Sequence, residues 1–512
     1  MKKRIWIKNA AILTATSLIL RTIGIFFRMY MSGAIGAEGM GLYQLIFSIY
    51  VLASTFASSG ISTAVTRMVA DELACGTKKS VLQVVRRSVL VSAILGVISA
   101  GIVFSTADLI GTWWIKDVRA IPALKILTVG LPFMGIASCL RGYFIAREKA
   151  GVTASGQLVE QAIRIAVTMG LIERMAAGGI TAACVAVIVG DTVAETAACG
   201  YMALRFWWDQ RKLSICATTT CVPRQGVLKR LWNIAAPITA GRYLNTGLRT
   251  IENILVPSCL TAYLASSAEG LSQFGMLKGM VMPLLFFPAS FLNAITTLLI
   301  PEVSRASTLQ QHRTIERAVN RSLQTTLLSS ILISGLFTVF ADEIGMWVYH
   351  EDQVGFLLKV LAPLMPIMYL ESIVDGMLKG LNQQVSSLKY SVWDSVIRIL
   401  LIRLLVPQYG MGGFLFIMVL SNYLTCGLNL HRLLTVTGVA MRWVNWVFKP
   451  VFAICVTGLT AVWLWHLPAF AALPQVVAVG LLGLLIAAGY LVLMPLLGCV
   501  KKDDLPLKKR VA

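Results

Sequence analysis

The most constraining feature of this sequence is a series of long apolar runs, separated by short segments that carry charge, glycine or proline. A transmembrane helix needs about 20 consecutive apolar residues, and runs of this kind recur along the 512 residues of the chain. Hydrophobic residues make up 57% of the chain and charged residues 13%, whereas soluble domains are typically about 25% charged. The pattern excludes a soluble enzyme or a disordered scaffold, and it predicts an all-α polytopic membrane protein.

The runs predict about fourteen transmembrane helices. Their approximate ranges are 10–32, 42–66, 88–107, 122–141, 154–172, 180–203, 232–257, 271–300, 323–341, 358–378, 389–406, 412–433, 449–467 and 474–498. The first run contains Arg21 and Arg28 and is closed by no signal-peptidase site. We therefore interpret it as a retained helix and not as a signal peptide.

Lysine and arginine are distributed unevenly between alternate loops. The N-terminus, the even-numbered loops and the C-terminal tail hold 32 of the 45 basic residues, and the opposite side holds 4. Because cytoplasmic loops carry the excess of basic residues, both termini are predicted to be cytoplasmic. This bias accounts for the net charge of +21, so we expect membrane lipids and no nucleic acid as partners.

An internal repeat predicts two related helix bundles. Ile163-Arg164-Ile165 matches Ile397-Arg398-Ile399 at an offset of 234 residues, and Leu20-Arg21-Thr22-Ile23 matches Leu248-Arg249-Thr250-Ile251 at an offset of 228. Six spans per copy is an even number, so both copies enter the membrane from the same side. Transporters built from such parallel repeats carry their substrate between the two bundles, and two internal bundles can form this path in a monomer.

The repeat and the loops together predict five segments of the chain. These are an N-terminal six-helix lobe at 1–205, a cytoplasmic inter-lobe loop at 206–230, a C-terminal six-helix lobe at 231–434, two additional transmembrane helices at 435–500 and a basic cytoplasmic tail at 501–512.

Arginines inside the predicted spans indicate an anion-binding cavity. Each buried charge costs about 2.5–3.5 kcal/mol at the bilayer centre, so its presence needs a reason. Two helices carry arginines seven residues apart, on one helical face, and five cations in these spans outnumber one acid: Arg21, Arg28, Arg242, Arg249 and Lys278 against Glu252. Since guanidinium groups bind phosphate or carboxylate bidentately, the excess favours an anionic headgroup. The alternative for Arg242 and Lys278, near helix ends, is that they extend to the membrane interface.

Two acid-before-base pairs have a different interpretation. Glu160 precedes Arg164 by four residues, and Asp394 precedes Arg398 by the same spacing. This is the favoured orientation for an ion pair within a helix, so we predict that both pairs are structural.

Other acids inside the spans are candidates for ion coupling. Asp191 and Glu195 lie one turn apart on the sixth predicted helix. Together with Glu252, they could bind Na⁺ or H⁺, and the alternative is that they pair with a neighbouring helix.

The sequence contains no G-x-x-x-x-G-K-[ST] motif for nucleotide and no H-E-x-x-H motif for zinc. We therefore expect a secondary transporter and not an enzyme, with no metal and no cofactor other than a coupling ion. Three alternatives remain: a cation-coupled multidrug exporter, a membrane-embedded glycosyl- or phosphotransferase, and a non-transporting scaffold. The nearest acidic clusters for a transferase, Asp71-Glu72 and Asp503-Asp504, lie among lysines and are better explained as solvated segments.

The first two predicted helices carry a recognisable segment. Arg21-Thr22-Ile23-Gly24, Arg28 and Ile35-Gly36-Ala37-Glu38-Gly39-Met40-Gly41-Leu42-Tyr43-Gln44 resemble the start of the stage V sporulation protein B group. This group belongs to the polysaccharide branch of the multidrug/oligosaccharidyl-lipid/polysaccharide exporter superfamily and is similar to the lipid II flippases. The resemblance covers essentially the whole chain.

The resemblance implies that the chain lies in a bacterial plasma membrane and flips an undecaprenyl-pyrophosphate-linked oligosaccharide, a cell-wall precursor, to the outer leaflet by alternating access. Within the same group, the alternative is a non-transporting sporulation or cell-wall scaffold. It implies that Arg21 and Arg28 hold the pyrophosphate, with Arg67 and Arg249 as further ligands. It also implies a groove for the lipid tail on the last two helices, a role that fits the absence of Lys, Arg, Asp and Glu from 451–500.

Overall fold

A computed structural model describes residues 2–75, 77–175, 178–213, 226–467 and 474–499 of the chain. Within these ranges the regular structure is helical and no strand occurs. The predicted basic tail and much of the predicted inter-lobe loop, residues 214–225, lie outside the described residues. The all-α fold class predicted from the apolar runs is confirmed.

Seventeen α-helices are labelled here in chain order among the described residues. The first nine are α1 (Lys2–Cys75), α2 (Lys78–Leu109), α3 (Ala120–Leu127), α4 (Gly130–Ala146), α5 (Ala150–Met175), α6 (Gly179–Arg211), α7 (Val227–Leu264), α8 (Ser267–Gly275) and α9 (Met282–Phe286). The others are α10 (Ala289–Thr308), α11 (His312–Val339), α12 (Ala341–Tyr349), α13 (Asp352–Leu361), α14 (Met365–Gly380), α15 (Gln384–Thr437), α16 (Lys449–Trp465) and α17 (Gln475–Leu496). Short π-helical turns occupy Ile110–Ile115, Met276–Val281 and Val444–Phe448, and a 3₁₀ turn occupies Ala362–Leu364.

Two glycines bend the longest helices. Gly36 interrupts α1 with φ 68° and ψ −179°, and Gly410 interrupts α15 with φ 57° and ψ −138°. Glycine adopts positive φ without the steric penalty that a Cβ would bring. Each of these helices therefore contains two of the predicted spans, one before its kink and one after it.

Eight helices in the described part are long and apolar enough to cross a membrane, or nine if the bent pair α3 and α4 forms one span. The range Ala11–Ala74 alone has 64 residues, far more than the roughly 20 that one crossing needs. The protein is therefore a multi-pass membrane protein. The number fourteen and the cytoplasmic location of both termini remain predictions.

The chain divides into two compact units. Unit 1 consists of Met1–Gly279 with Ser395–Met411, and unit 2 consists of Met280–Asp394 with Gly412–Ala512. The core of unit 1 includes Val65, Val84 and Tyr143, all of which are fully buried or nearly so. The division into two six-helix lobes stays a prediction drawn from the repeat.

In unit 2 the two C-terminal helices pack against α11. Tyr490 of α17 is buried, and its hydroxyl donates a hydrogen bond to the carbonyl oxygen of Leu328 at 2.9 Å. A Cβ at Gly335 of α11 would lie 2.1 Å from Ile454 of α16, so this glycine permits the close approach. The outer faces of α16 and α17 remain apolar and exposed, for example at Leu459 and Leu484, as suits contact with lipid chains.

Candidate functional site

Helix α7 packs along the second half of α1, which brings the first helix of the second repeat beside the first repeat. A Cβ at Gly60 would lie 2.2 Å from the carbonyl oxygen of Ala235, and the Gly60 amide donates to Thr239 Oγ1 at 3.0 Å. Farther along, the Asn253 amide donates to Ser48 Oγ at 3.0 Å. Small residues and side-chain hydrogen bonds are typical of helix packing in membranes.

One end of this helix pair is held by charge. Arg230 of α7 contacts Asp71 at 2.9 Å through Nη2 and Glu72 at 3.0 Å through Nη1. Asp71-Glu72 is thus an ion-pairing element of the α1–α7 packing. Both acids lie within α1, and Glu72 is buried, so the interpretation of Asp71-Glu72 as a solvated segment is wrong.

The glycine-rich segment after the kink permits a close helix crossing. A Cβ at Gly41 would lie 2.1 Å from the carbonyl oxygen of Leu271, and a Cβ at Gly275 would lie 2.0 Å from the carbonyl oxygen of Ala37. Both contacts are with backbone atoms, which cannot rotate away as a side chain can. The motif that carried the family resemblance therefore has a physical role in packing α1 against α8.

The acid of the same motif binds the loop before α3. Arg119 Nη2 lies 2.6 Å from Glu38 Oε1 and 2.8 Å from Asp117 Oδ2. Hydrogen bonding to Asp117, and secondly to Glu38, raises the pKa of Arg119 above its ordinary value. Arg119 therefore stays charged at any working pH and ties this loop to the kinked region of α1.

The two first-helix arginines differ in their surroundings. Arg21 is exposed and Arg28 is partly buried. The charge of Arg28 acts on Tyr43, whose hydroxyl donates to Asp191 Oδ2 at 3.3 Å. Within the described residues, the guanidinium of Arg28 has no hydrogen bond and no ion pair.

Arg164 joins α5 to α6. Its Nη2 lies 2.9 Å from Glu160 Oε1, as the spacing of four predicts, and its Nε lies 2.8 Å from Asp191 Oδ1. The predicted Glu160/Arg164 contact is therefore present. Asp191 pairs with a neighbouring helix, which is one of the two alternatives that the sequence left open.

Glu195, one turn after Asp191, lies in a different setting. It is 8% exposed, and a Cβ at Gly130 would lie 2.8 Å from its Oε2. In the part of the chain that the structure describes, its carboxylate accepts no hydrogen bond and forms no ion pair.

Three cations surround the buried carboxylate of Glu252. Arg398 Nη1 lies 3.2 Å from Glu252 Oε2, and Lys278 Nζ lies 3.6 Å from Oε1. Arg249, one turn before Glu252 on α7, acts electrostatically on both Glu252 and Lys278. We call Arg249, Glu252, Lys278 and Arg398 the Glu252 cluster, which gathers three cations around one buried acid.

The other predicted phosphate ligands lie on exposed positions. Arg67 and Arg242 are exposed, as is Arg249 within the Glu252 cluster. Arg67 has no hydrogen bond or ion pair among the residues that the structure describes. Within unit 1, Arg249 therefore lies with Lys278 and Arg398 in the Glu252 cluster. Among the described residues, Arg67 has no contact with this cluster.

Sequence reasoning missed the partner of Arg398. Its spacing from Asp394 predicted a structural pair, and that prediction stays untested. The structure adds a hydrogen bond from Ser421 Oγ to Asp394 Oδ1 at 2.6 Å and places the Arg398 guanidinium beside Glu252. The sequence does contain one indication of the contact between Arg398 and Glu252. Glu252 is an acid inside a predicted span, and no basic residue lies four positions before or after it on α7, so its partner had to come from another helix.

A model of the family described as "Polysaccharide biosynthesis protein" matches residues 6–307, which is more than half of the chain. The chain belongs to this family. Stage V sporulation protein B of Bacillus subtilis (strain 168) is 24% identical over 413 residues, covering 80% of this chain and 80% of that protein. Lipid II flippase MurJ of the same organism is 23% identical over 423 residues, covering 77% of this chain and 75% of that protein. The resemblance expected from the first-helix segment is confirmed.

Solved structures with the same fold are transporters. The chain matches a structure of lipid II flippase MurJ in an inward closed conformation with a TM-score of 0.71 and 12% identity, covering 95% of this chain and 98% of that one. It matches an inward-facing multidrug resistance MATE family transporter of the MOP superfamily with a TM-score of 0.65 and 14% identity, covering 84% of this chain and 98% of that one. This member of the polysaccharide biosynthesis protein family therefore has the fold of the MOP superfamily.

Proposed function

We propose that the protein is a membrane flippase that carries an undecaprenyl-pyrophosphate-linked oligosaccharide across the plasma membrane. Its relatives, stage V sporulation protein B and lipid II flippase MurJ, support a flippase or exporter and not an enzyme. The charges of this chain favour a substrate with an anionic headgroup.

The observation that carries the proposal is the Glu252 cluster. Three cationic side chains inside a membrane protein are costly, and here they gather around the single buried carboxylate of Glu252. This concentration of positive charge favours an anion, and a pyrophosphate presents several oxygens that guanidinium and ammonium groups can bind together. Glu252 holds Lys278 and Arg398 in position while the substrate is absent.

Arg28 supports the same assignment from the first repeat. A partly buried guanidinium with no acidic partner in the described part of the chain is available to bind an anion. Arg21 lies two turns earlier on the same helix. We infer that the first-helix arginines and the Glu252 cluster both contact the anionic headgroup during transport.

The charges oppose the alternative of a cation-coupled drug exporter. A site for a lipophilic cation needs acids that attract positive charge, but Asp191 lies against Arg164 and Glu252 lies against Lys278 and Arg398. Both carboxylates already have resident cationic partners. This leaves the two acids poorly suited to bind a drug cation.

Native mass spectrometry of the purified protein tests the substrate class. We expect the protein to retain undecaprenyl-pyrophosphate sugars, and Arg249→Ala/Lys278→Ala to weaken their binding about 100- to 10,000-fold, because each lost charge-assisted hydrogen bond contributes about 1.5–3 kcal/mol. Undecaprenyl monophosphate and tetraphenylphosphonium serve as comparison ligands. Retention of the lipophilic cation in preference to the pyrophosphate would contradict the proposal and favour the drug exporter.

We also propose that Glu195 is the ion-coupling residue. Of the three acids predicted for this role, Asp191 and Glu252 lie beside resident cations. Burying an unpaired carboxylate is costly, and binding a proton or Na⁺ removes that cost. A cycle that loads and unloads Glu195 would therefore couple an ion gradient to a conformational change.

Replacing Glu195 with glutamine should separate coupling from substrate binding. We expect Glu195→Gln to retain lipid pyrophosphate and to lose the dependence of transport on an imposed pH or Na⁺ gradient, which is measured in proteoliposomes. Asp191→Asn is the comparison variant, since Arg164 already contacts that carboxylate. A gradient dependence of Glu195→Gln equal to that of the unmodified protein would exclude Glu195 from coupling.

A further inference from the structure

A polar pocket lies near the C-terminal end of α7, apart from the Glu252 cluster. It has a volume of about 70 Å³, which gives room for about five water molecules. Its polar lining comes from the loop before α3, from α7 and from α8: Lys116, Asp117, Ser258, Thr261 and Ser267. All of these residues lie in unit 1.

Lys116 is a cation without an acidic partner at this pocket. Its Nζ donates a hydrogen bond to Ser258 Oγ at 3.1 Å, and among the described residues it forms no ion pair. An ammonium group has three N–H donors, so the others remain for a ligand. Because Lys116 is exposed, a ligand can reach it from outside the protein.

The acid of the pocket is already compensated. Arg119 Nε lies 3.0 Å from Asp117 Oδ1, and Arg119 Nη2 lies 2.8 Å from Asp117 Oδ2. The hydroxyls of Thr261 and Ser267 have no hydrogen-bond partner in the part of the chain that the structure describes. The groups left to meet a ligand are therefore an ammonium and hydroxyls that can donate, which favours a ligand rich in acceptor oxygens.

Two further features make the pocket electropositive. Helix α8 begins at Ser267, and the first amides of a helix lack intrahelical partners and carry partial positive charge. Arg403 of α15 and Lys116 both act electrostatically on Cys259 of α7. Arg403 is exposed, and within the described ranges it forms no hydrogen bond or ion pair. Glu269, the acid in the first turn of α8, is not part of the lining, so the pocket favours an anion.

Two tryptophans place the pocket at the level of the membrane surface. Trp113 and Trp114, just before Lys116 in the chain, are 76% and 49% exposed. Tryptophan is enriched at membrane–water interfaces, at the level of the lipid headgroups. The distribution of lysine and arginine predicts that this surface is the outer one.

We propose that this pocket binds one phosphate group at the outer surface of the membrane. The phosphate oxygens accept hydrogen bonds from Lys116 and from the hydroxyls of Thr261 and Ser267. The space of about five water molecules accommodates one phosphorus and four oxygens. The phosphate belongs to a lipid, whose remaining headgroup and chains stay outside the pocket, or it is free.

The reactivity of Lys116 in lipid nanodiscs tests this site in the unmodified protein. The lipid is either phosphatidylcholine or monoglucosyl diacylglycerol, since both are neutral overall and only the first contains phosphate. A water-soluble acetylating reagent modifies exposed lysines, and mass spectrometry of peptides gives the rate at each one. We expect Lys116 to react about tenfold more slowly in phosphatidylcholine, because a phosphate holds the ammonium and keeps it protonated.

Lys359 is the matched control, since it is the other lysine predicted in the outer loops. Its Nζ lies 3.1 Å from Asp342 Oδ2, and its side chain is 54% exposed. Its acetylation rate should be the same in both lipids. Equal rates at Lys116 in the two lipids, with no slowing by added inorganic phosphate, would overturn the proposal. Equal slowing of Lys116 and Lys359 in phosphatidylcholine would also overturn it, because the effect would then come from the membrane as a whole.

Added inorganic phosphate distinguishes the two sources of the ligand. If it protects Lys116 in the nanodiscs without phosphate, free phosphate is sufficient for binding. If only phosphatidylcholine protects Lys116, the occupant is a lipid headgroup. Both results support a phosphate site, and they differ only in where the phosphate comes from.

Thr261→Val tests the hydroxyl contribution without disturbing the charge. The variant should melt at the same temperature as the unmodified protein, because the described structure gives this hydroxyl no partner to lose. Its Lys116 should react in phosphatidylcholine within about twofold of the rate in the glucolipid, since the loss of a hydrogen bond to a charged group weakens binding about tenfold. Full protection of Lys116 in this variant would exclude Thr261 as a ligand. Failure of the phosphate site leaves the proposed transport function untouched, because that function depends on Arg28 and the Glu252 cluster.

Discussion

Arg28→Ala should reduce transport of lipid-linked sugar about 10- to 100-fold while the protein remains folded in the membrane. Within the described residues, Arg28 makes no hydrogen bond or ion pair whose loss would destabilise the protein, so its removal leaves no buried acid unpaired. Loss of one charge-assisted contact of about 1.5–3 kcal/mol corresponds to a 10- to 100-fold loss of binding. The measurement is flux of a fluorescent lipid-linked oligosaccharide in proteoliposomes, with the melting temperature as the measure of folding.

Arg28→Lys and Arg86→Ala are matched controls for this prediction. Lysine retains the charge but not the planar fork of donors, so Arg28→Lys should give intermediate flux, and Arg86→Ala should give full flux. If Arg28→Ala transports at the rate of the unmodified protein, Arg28 is not a headgroup ligand. If its melting temperature falls with its flux, its role is structural.

Gly41→Val should prevent stable folding of unit 1. Even a Cβ at this position would lie 2.1 Å from the carbonyl oxygen of Leu271, and valine adds two methyl groups to a helix crossing that has no room. Overpacking typically costs about 1–3 kcal/mol and occasionally more, and a clash with backbone should lie at the upper end of this range. We expect a severe loss of membrane-inserted, detergent-stable protein, measured by fluorescence-detected size exclusion.

Gly24→Val in the same helix is the control, because nothing lies within 4 Å of a Cβ at Gly24. It should express and elute like the unmodified protein. A monodisperse Gly41→Val protein with an unchanged melting temperature would show that α1 and α8 do not pack as described.

Patterns with a short sequence range predicted local features well. The i, i+4 spacing of Glu160 and Arg164 predicted a contact that is present at 2.9 Å. The apolar runs predicted helices, because only segments that satisfy their own backbone hydrogen bonds are stable in lipid. The interruption between the first two runs corresponds to the kink at Gly36, where a glycine adopts positive φ.

These patterns could not predict contacts between segments that are distant in the sequence. Nothing in the sequence near Asp191 indicates Arg164 as its partner, since the two lie on different helices. Likewise, Glu252, Lys278 and Arg398 come from separate helices, and only their packing makes them one cluster. The repeat relates Arg164 to Arg398, but each guanidinium contacts an acid on a different neighbouring helix, and a repeat offset cannot predict such a choice.

The glycine motif of residues 36–41 illustrates another limit of prediction from sequence. Its sequence identified a family resemblance, but the reason for its glycines became clear only from Leu271 and Gly275, more than 200 residues later. Close approach of two helices needs small residues on both, and the sequence alone does not indicate which pairs meet.

Flipping of a lipid-linked sugar by the purified protein is the most direct test of the proposed transport function. Proteoliposomes would contain a fluorescent undecaprenyl-pyrophosphate disaccharide in one leaflet, and a membrane-impermeant quencher would report its movement to the other leaflet. We expect movement that requires the protein, that is lost in Arg28→Ala/Arg249→Ala, and that is absent for a neutral undecaprenol-linked sugar. Movement at the same rate in the double variant, or no movement by the folded unmodified protein under any imposed ion gradient, would contradict the proposed transport function.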